Sequence, residues 1–348
     1  MLKVMHVLNT GKYSGAENVA ITIINSMKNV AEATYVSLNG PIKEYLREND
    51  INYFPIQKLT ISRIKTAIKE CQPDIIHAHD FTAGIICAAS GTNIPIVNHI
   101  HNNSPWIKRY CLKSFLFAVS CFRYKRILTV SDSVMNEYVF GGWFKNKTEV
   151  VGNPIDINKV RNLAGDNVKK IYDIAFLGRL SYPKNPHFFL DIVADLKKRI
   201  PHIRAIMIGD GELRNEVENH ITNENLNENI NVVGFQKNPY QYLKQAKILL
   251  MPSVWEGFGL AAIEALALGI PVLCSSVGGL PNIVDDACGK ICKEKKEYSD
   301  MIIQLLNDEC LYEMESQGAF NRAKCFDNLS NYSTKMLNLY RTVCKVRV

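Results

Sequence analysis

In the stretch LGRLSYPKNP, Arg179 and Lys184 stand five residues apart around a turn that contains Pro183, just after an apolar run that ends at Gly178. A guanidinium binding through forked hydrogen bonds and an ammonium acting as a point charge can together clamp a diphosphate. A solvated surface loop would use the same residue types. Further on, PSVWEGFGLAAIEALALGIPVL (252–273) keeps two carboxylates, Glu256 and Glu264, among small and apolar side chains. Carboxylates accept several hydroxyl groups at once, as a ribose or a hexose requires, and they are costly to bury without partners. Satisfied core or cap glutamates are the alternative. Were both helical, eight residues would turn through about 800° and leave them about 80° apart. Only Glu264 lies firmly in the helical pattern, because Gly257 and Gly259 bracket Phe258 at the helix start and leave Glu256 in a loop.

Two histidine pairs, HAHD (77–80) and HIHN (99–102), fall at or near strand ends, and alternation puts His77 with His79 and His99 with His101 on one face. Four histidines without a suitable carboxylate set make a poor metal site; one or two are expected to line a cleft as neutral hydrogen-bonding groups, the others to be packed. TGKYSGAEN (10–18) brings Gly11 and Gly15 ahead of a helix that starts near Ala16, where free N–H groups attract anions. It is not a G-x-G-x-x-G pattern.

The elements that must carry these residues read as alternating short apolar strands and longer helical patterns, the sign of parallel strand-helix-strand units. Strands are expected near 2–8, 33–38, 52–56, 74–79, 94–100, 126–131 and 148–151, and again near 172–178, 203–209, 230–235, 248–253 and 270–275. The polar, turn-rich segment 152–170 reads as the connection between two doubly wound α/β domains. In such sheets ligands bind beyond the carboxyl ends of the strands, so two facing domains would share one cleft.

The 348 residues suit two domains, and 47 % hydrophobic with 22 % charged residues is ordinary globular composition. No apolar run approaches the roughly 20 residues of a membrane span, and the chain reads as mature from Met1, without a signal peptide. The ten cysteines lack paired spacing and suit reduced thiols in the cytoplasm. The net charge of +7 is concentrated in the N-terminal half. Between Ser104 and Ser131 lie Lys108, Arg109, Lys113, Arg123, Lys125 and Arg126 and no acidic residue.

Taken in order, SGAE (14–17), PDIIHAHD (73–80), PIVNHIHN (95–102), VSDSV (130–134), GNPID (152–156), GRLSYPKNP (178–186), GDGELR (209–214), VVGF (232–235), MPSVWEGFGLAAIEALALGIPVL (251–273) and GGLPNIV (278–284) span nearly the whole chain. This series resembles the family-4 retaining glycosyltransferases, in particular bacterial members that build capsule, exopolysaccharide or other surface glycans. The resemblance implies the GT-B fold, two Rossmann-like domains facing across a cleft: residues 1–167 for the acceptor, 168–325 for the nucleotide-sugar donor, and a helix in 326–348 packing back toward the first. It implies a donor site of Gly15, Gly178, Arg179, Lys184, Phe235, Glu256, Phe258, Gly259, Leu260 and Glu264. Arg179 and Lys184 would hold the diphosphate, Glu264 the ribose, Glu256 the transferred sugar, and backbone N–H groups around 258–260 the phosphate. Phe235 and its neighbours would frame the base, Gly15 would let backbone approach the diphosphate, and His101 would sit beside the reacting sugar, joining Arg179, Lys184 and Glu256 in catalysis.

No D-x-D occurs in the chain, so metal-independent, cofactor-free transfer is expected, from a UDP-linked sugar to a glycan or polyprenyl-linked acceptor. The basic, aromatic stretch from Trp106 to Arg126 could rest on anionic lipid at the inner face of the cell membrane; a helix packed on the sheet with an ordinary charged surface is the plainer reading. No nucleic-acid partner is implied. Asn282 departs from the family, which usually has glutamate there. A nucleotide-sugar epimerase, a non-catalytic sugar-nucleotide module and a two-domain solute-binding protein are the alternatives.

Overall fold

A computed structural model describes residues 1–344 of the chain. Thirteen strands run β1 (Leu2–Val7), β2 (Ala31–Leu38), β3 (Asn52–Ile56), β4 (Ile75–His79), β5 (Ile96–Ile100), β6 (Tyr124–Thr129), β7 (Thr148–Val150), β8 (Tyr172–Leu177), β9 (Ala205–Ile208), β10 (Ile230–Gly234), β11 (Ala246–Met251), β12 (Val272–Cys274) and β13 (Gly289–Ile291). They form two sheets, ordered 3-2-1-4-5-6-7 and 10-9-8-11-12-13, and every pairing is parallel. The order reverses between β1 and β4 in one sheet and between β8 and β11 in the other. Those crevices are where a doubly wound sheet receives ligands.

The chain divides into two compact units, Met1–Pro154 with Asn328–Val348, and Ile155–Asp327. In unit 1, β4 and β5 are buried along their whole length, as strands covered on both faces must be. The C-terminal helix Leu329–Cys344 packs in this unit. Its Tyr332, Met336 and Tyr340 are buried at intervals of four, one stripe of a helix, and the Tyr340 hydroxyl lies 2.6 Å from His77 Nδ1.

In unit 2 the strand alternation sorts the core into two layers. Ala175, Leu249 and Met251 join the layer with Ala262, Ile263 and Leu266, while Ile174, Phe176, Ile248 and Leu250 join Phe189, Leu190 and Val193. The sequence put the boundary after residue 167 and read 152–170 as a connection. Instead the helix Ile157–Ala164 buries Ile157, Val160 and Ala164 in the unit 2 core. Its short amphipathic stripe is hidden by polar neighbours in sequence. Strand β13, three residues long with Gly289 at its start, was not anticipated either; it is too short to show a period.

Candidate active site

Unit 2 gathers its cationic and acidic candidates beyond β8 and β11. After β8 the chain turns through Gly178 to Arg179, and Leu180 exchanges backbone hydrogen bonds with the 209–213 loop: its N–H donates to Asp210 O at 3.0 Å, and its carbonyl accepts from Leu213 N at 3.0 Å. A second tie runs from the Lys184 loop to the Glu256 loop, where Pro183 O accepts from Val254 N at 2.8 Å. The Tyr182 and Trp255 rings pack across that tie with centroids 5.4 Å apart.

These ties bring Lys184 and Glu256, 72 residues apart in sequence, into an ion pair. The pair is shielded, its side chains 26 % and 11 % exposed, whereas the Arg179 to Glu212 pair at 3.1 Å leaves more than half of each side chain in solvent. Only the first is more than a weak surface contact. Glu264 lies on the helix Leu260–Ala267, whose Ala262, Ile263, Ala265, Leu266 and Ala267 are buried. It accepts a hydrogen bond from the Tyr240 hydroxyl at 2.9 Å. Burial raises the Glu264 carboxyl above the usual carboxylate range, opposed by the Tyr240 hydrogen bond and by the charge of Lys184. Lys184 therefore acts on both glutamates, on one by contact and on the other through its field.

The helix start is fixed from the far side. Gly259 caps the helix in a left-handed conformation, φ 104°, with Phe258 and Leu260 flanking it. The loop GGLPNIV closes over this corner so tightly that a Cβ on Gly278, itself at φ 55°, would fall 1.6 Å from the Glu256 carbonyl. Only glycine fits there. In the same loop Arg322 donates to the Asn282 carbonyl at 2.6 Å and to Ile283 O at 2.9 Å, so the loop is held by backbone contacts whatever side chain stands at 282. Phe235 follows β10, an edge strand, with its ring half exposed. The structure links Lys184 with Glu256 by contact and with Glu264 through its charge, leaves Arg179 on Glu212, and leaves Phe235 at the sheet edge.

Unit 1 carries the remaining candidates. Gly15 opens the helix Gly15–Ser26, and a Cβ there would meet nothing within 4 Å, so the unit's own packing does not require glycine. The four predicted histidines are joined by a fifth, His6 on β1, and His6, His77, His79 and His99 are buried. Ring centroids of His77 and His79 are 4.2 Å apart and those of His99 and His101 4.1 Å. His6 Nδ1 lies 3.1 Å from His79 Nε2, and His79 Nδ1 lies 2.9 Å from His101 Nε2.

Desolvation lowers the pKa of all five histidines, His6 to about 3, so each ring is neutral with a single N–H. The three bonded rings must then share one direction of donation. The charge of Asp80 opposes the lowering at His101, and His101 Nδ1 and Asn153 Oδ1 are both buried without a hydrogen-bond partner among the described residues. Donation runs either from His6 through His79 to His101 or in the opposite sense. Two trios, His6 with His77 and His79, and His79 with His99 and His101, hold nitrogens within 4.8 Å of one another. An ion using either trio would have to displace His79 from its hydrogen bonds to His6 or His101.

Beside this array Asp80 adopts φ 66°, a strained value for a residue other than glycine. Its Oδ1 accepts the His101 backbone N–H at 3.0 Å. Sequence reading missed Glu17, which is buried three residues into its helix and takes a hydrogen bond from the Ser14 hydroxyl. The S-x-x-E spelling of SGAE was the available signal.

Two family models match the chain, "Glycosyltransferase Family 4" over residues 4–159 and "Glycosyl transferases group 1" over 163–322. The chain belongs to the family-4 glycosyltransferases. Among relatives of this family, it is 25 % identical to the GalNAc-alpha-(1->4)-GalNAc-alpha-(1->3)-diNAcBac-PP-undecaprenol alpha-1,4-N-acetyl-D-galactosaminyltransferase of Campylobacter jejuni, over 99 % of each chain. It is 26 % identical to the UDP-Gal:alpha-D-GlcNAc-diphosphoundecaprenol alpha-1,3-galactosyltransferase of Escherichia coli, over 87 % of this chain and 84 % of that one. The crystal structure of Anabaena HepE in complex with UDP-glucose superposes with a TM-score of 0.85 at 20 % identity, covering 98 % of this chain and all of the other. The fold of this family-4 glycosyltransferase is GT-B, built from two parallel-sheet α/β units.

Proposed function

We propose that this glycosyltransferase is a retaining, metal-independent enzyme that moves a sugar from a UDP-linked donor to a glycan or polyprenyl-linked acceptor in surface polysaccharide synthesis. The observation that carries the donor assignment is the Lys184–Glu256 ion pair beside Glu264 at the carboxyl ends of β8 and β11. Each charged group there is balanced in the unliganded protein and can exchange its partner for substrate. A diphosphate takes over Lys184 and draws Arg179 from its exposed contact with Glu212. Glu256, released, accepts hydroxyls of the transferred sugar, and Glu264 accepts those of the ribose. Backbone N–H groups at Phe258, Gly259 and Leu260 meet the phosphate at a helix start, Gly178 leaves the approach to Lys184 clear, and Phe235 borders the base.

In unit 1, Gly15 and the buried His101, whose Nδ1 has no hydrogen-bond partner among the described residues, are the groups assigned to the diphosphate and the reacting sugar. The acceptor hydroxyl oxygen bonds to the anomeric carbon from the face that the leaving group departs. The bond from that carbon to the phosphate oxygen breaks, the diphosphate leaves with both electrons, and one of its oxygens takes the hydroxyl proton. Arg179 and Lys184 stabilise the charge that develops on the leaving group, the role a bridging metal would otherwise fill. The alpha linkages and the UDP-Gal and undecaprenyl substrates in the relatives' names support a UDP donor, retention and a polyprenyl acceptor.

A polyprenyl acceptor calls for a membrane contact, and unit 1 has a surface suited to one. On the helix Leu112–Cys121, residues Leu112, Phe115, Leu116 and Val119, followed by Phe122, are 74, 57, 44, 50 and 65 % exposed. Their spacing of three and four makes one apolar ridge, flanked by the six cations between Lys108 and Arg126. Among the described residues no helix is long and apolar enough to cross a membrane, so the contact is peripheral, at the inner face of the cell membrane.

Incubation with a panel of nucleotide sugars and polyprenyl-diphosphate glycans, with and without chelator, tests the whole reading. Acceptor-dependent release of UDP in chelator is the expected result. Isomerised donor without transfer would mark an epimerase, and binding without turnover a non-catalytic module.

A further inference from the structure

Unit 1 contains a pocket of about 220 Å³ at the carboxyl ends of β1 and β4, lined by Asn9, Thr10, Glu17, Asp80, Asn102 and Trp106 among others. We propose that this pocket seats one pyranose ring of the acceptor, with the Glu17 and Asp80 carboxyl groups taking its hydroxyls and Trp106 covering its apolar face. The proposal rests on the glycosyltransferase reading for the identity of the sugar as acceptor.

Three features select a neutral polyhydroxyl ligand over an anion. The pocket's lining includes two acidic side chains and no lysine or arginine, so a diphosphate would meet like charge. Thr10 and Asn102 add hydroxyl and amide groups, the mixed donors and acceptors that sugar hydroxyls need. Trp106 supplies a flat apolar wall, held edge to face against Phe81 at 4.7 Å between centroids. An aromatic face beside polar groups is suited to a ligand with one apolar and one polar side.

Glu17 bonds Ser14 at its helix start and also lines the pocket. Ser14 precedes the helix as its N-cap, yet the Ser14 hydroxyl makes no cap bond to a helix N–H and donates to the Glu17 carboxyl instead. The carboxyl is 2 % exposed, and burial pushes it up to about 7. Near neutral pH it can both donate to and accept from a hydroxyl, while Asp80 already accepts the His101 N–H with its Oδ1. A buried carboxyl with adjustable protonation, facing a cavity beside an indole, is what a convergent ligand site provides.

The test is saturation-transfer NMR on the full chain with the methyl glycosides of glucose, galactose, N-acetylglucosamine and N-acetylgalactosamine. At least one should receive saturation, and its affinity should fall about tenfold, the effect of losing one strong hydrogen bond, in Glu17→Ala. Trp106→Ala should lose the signal and Trp106→Phe retain part of it, with circular dichroism confirming the fold of each. UDP should not displace the glycoside, and Arg179→Ala should leave it bound. Absence of saturation with all four, indifference to Glu17→Ala and both Trp106 variants, or displacement by UDP would each overturn the proposal. UDP binding to the wild-type protein, measured in the same samples, reports on the donor reading separately.

Discussion

Replacing Phe115 and Phe122 with serine should detach the protein from lipid without disturbing its fold. Full burial of a large apolar side chain is worth about 1.5–3 kcal/mol. With 57 and 65 % of their surfaces exposed, the two rings together have roughly 2–3.5 kcal/mol to gain from a bilayer, which corresponds to about 30- to 400-fold in partitioning. Because neither ring is in the core, the double variant should keep its stability to within about 0.5 kcal/mol per site. Flotation with vesicles of mixed neutral and anionic lipid measures the partition coefficient. Neutralising Lys108, Arg109, Lys113, Arg123, Lys125 and Arg126 should weaken binding further, with up to about 1 kcal/mol lost per cation, and should abolish the preference for anionic lipid. Raising the salt should reproduce the second effect and not the first. Partitioning of the Phe115→Ser, Phe122→Ser protein within twofold of wild type would refute the ridge as a membrane contact.

Acid should unfold unit 1 early. A histidine buried in its neutral form costs nothing above about pH 6.5, and below that it favours the unfolded chain by about 1.4 kcal/mol per pH unit until its own lowered pKa is reached. For the four buried rings, with His6 depressed to about 3, one pH unit amounts to on the order of 5 kcal/mol, comparable with the whole stability of a domain. The urea midpoint followed by near-UV circular dichroism should therefore drop sharply between pH 7 and 5.5; a flat profile would contradict the neutral array. Glu264→Gln should weaken UDP binding about 10- to 100-fold by removing a charged hydrogen-bond acceptor. Glu256→Gln should spare UDP affinity and impair turnover of the UDP-sugar, and calorimetry beside kinetics separates the two. Gly278→Ala should damage donor use, because its Cβ would overlap the Glu256 carbonyl; unchanged UDP binding in that variant would show that the corner need not be closed.

Much of the framework was legible because strand ends in a parallel sheet are written locally. The runs ending at Gly178 and Ser253 marked where β8 and β11 deliver their loops, and Gly257 and Gly259 separated the loop carboxylate from the helical one. The pairing of His77 with His79 followed from strand alternation alone. What stayed hidden depends on contacts between distant segments. No local signal joins Lys184 to Glu256, His6 to His79, or Tyr340 to His77, since the packing of segments distant in sequence decides them. The segment from Trp106 to Arg126 looked basic and aromatic. That Leu112, Phe115 and Phe122 face outward while Phe117 is buried became visible only once the helix was packed, because both of its faces are apolar. Glu17 was passed over since its spelling matched an ordinary helix start.

The most direct measurement of the donor assignment is a calorimetric titration of UDP into the wild-type protein and Lys184→Ala, both in chelator. Wild type should bind without metal, and loss of the cation that pairs with Glu256 and acts on Glu264 should cost at least about tenfold in affinity. Equal binding by the two proteins, or wild-type binding that appears only when a divalent ion is restored, would contradict a metal-independent donor site built around Lys184.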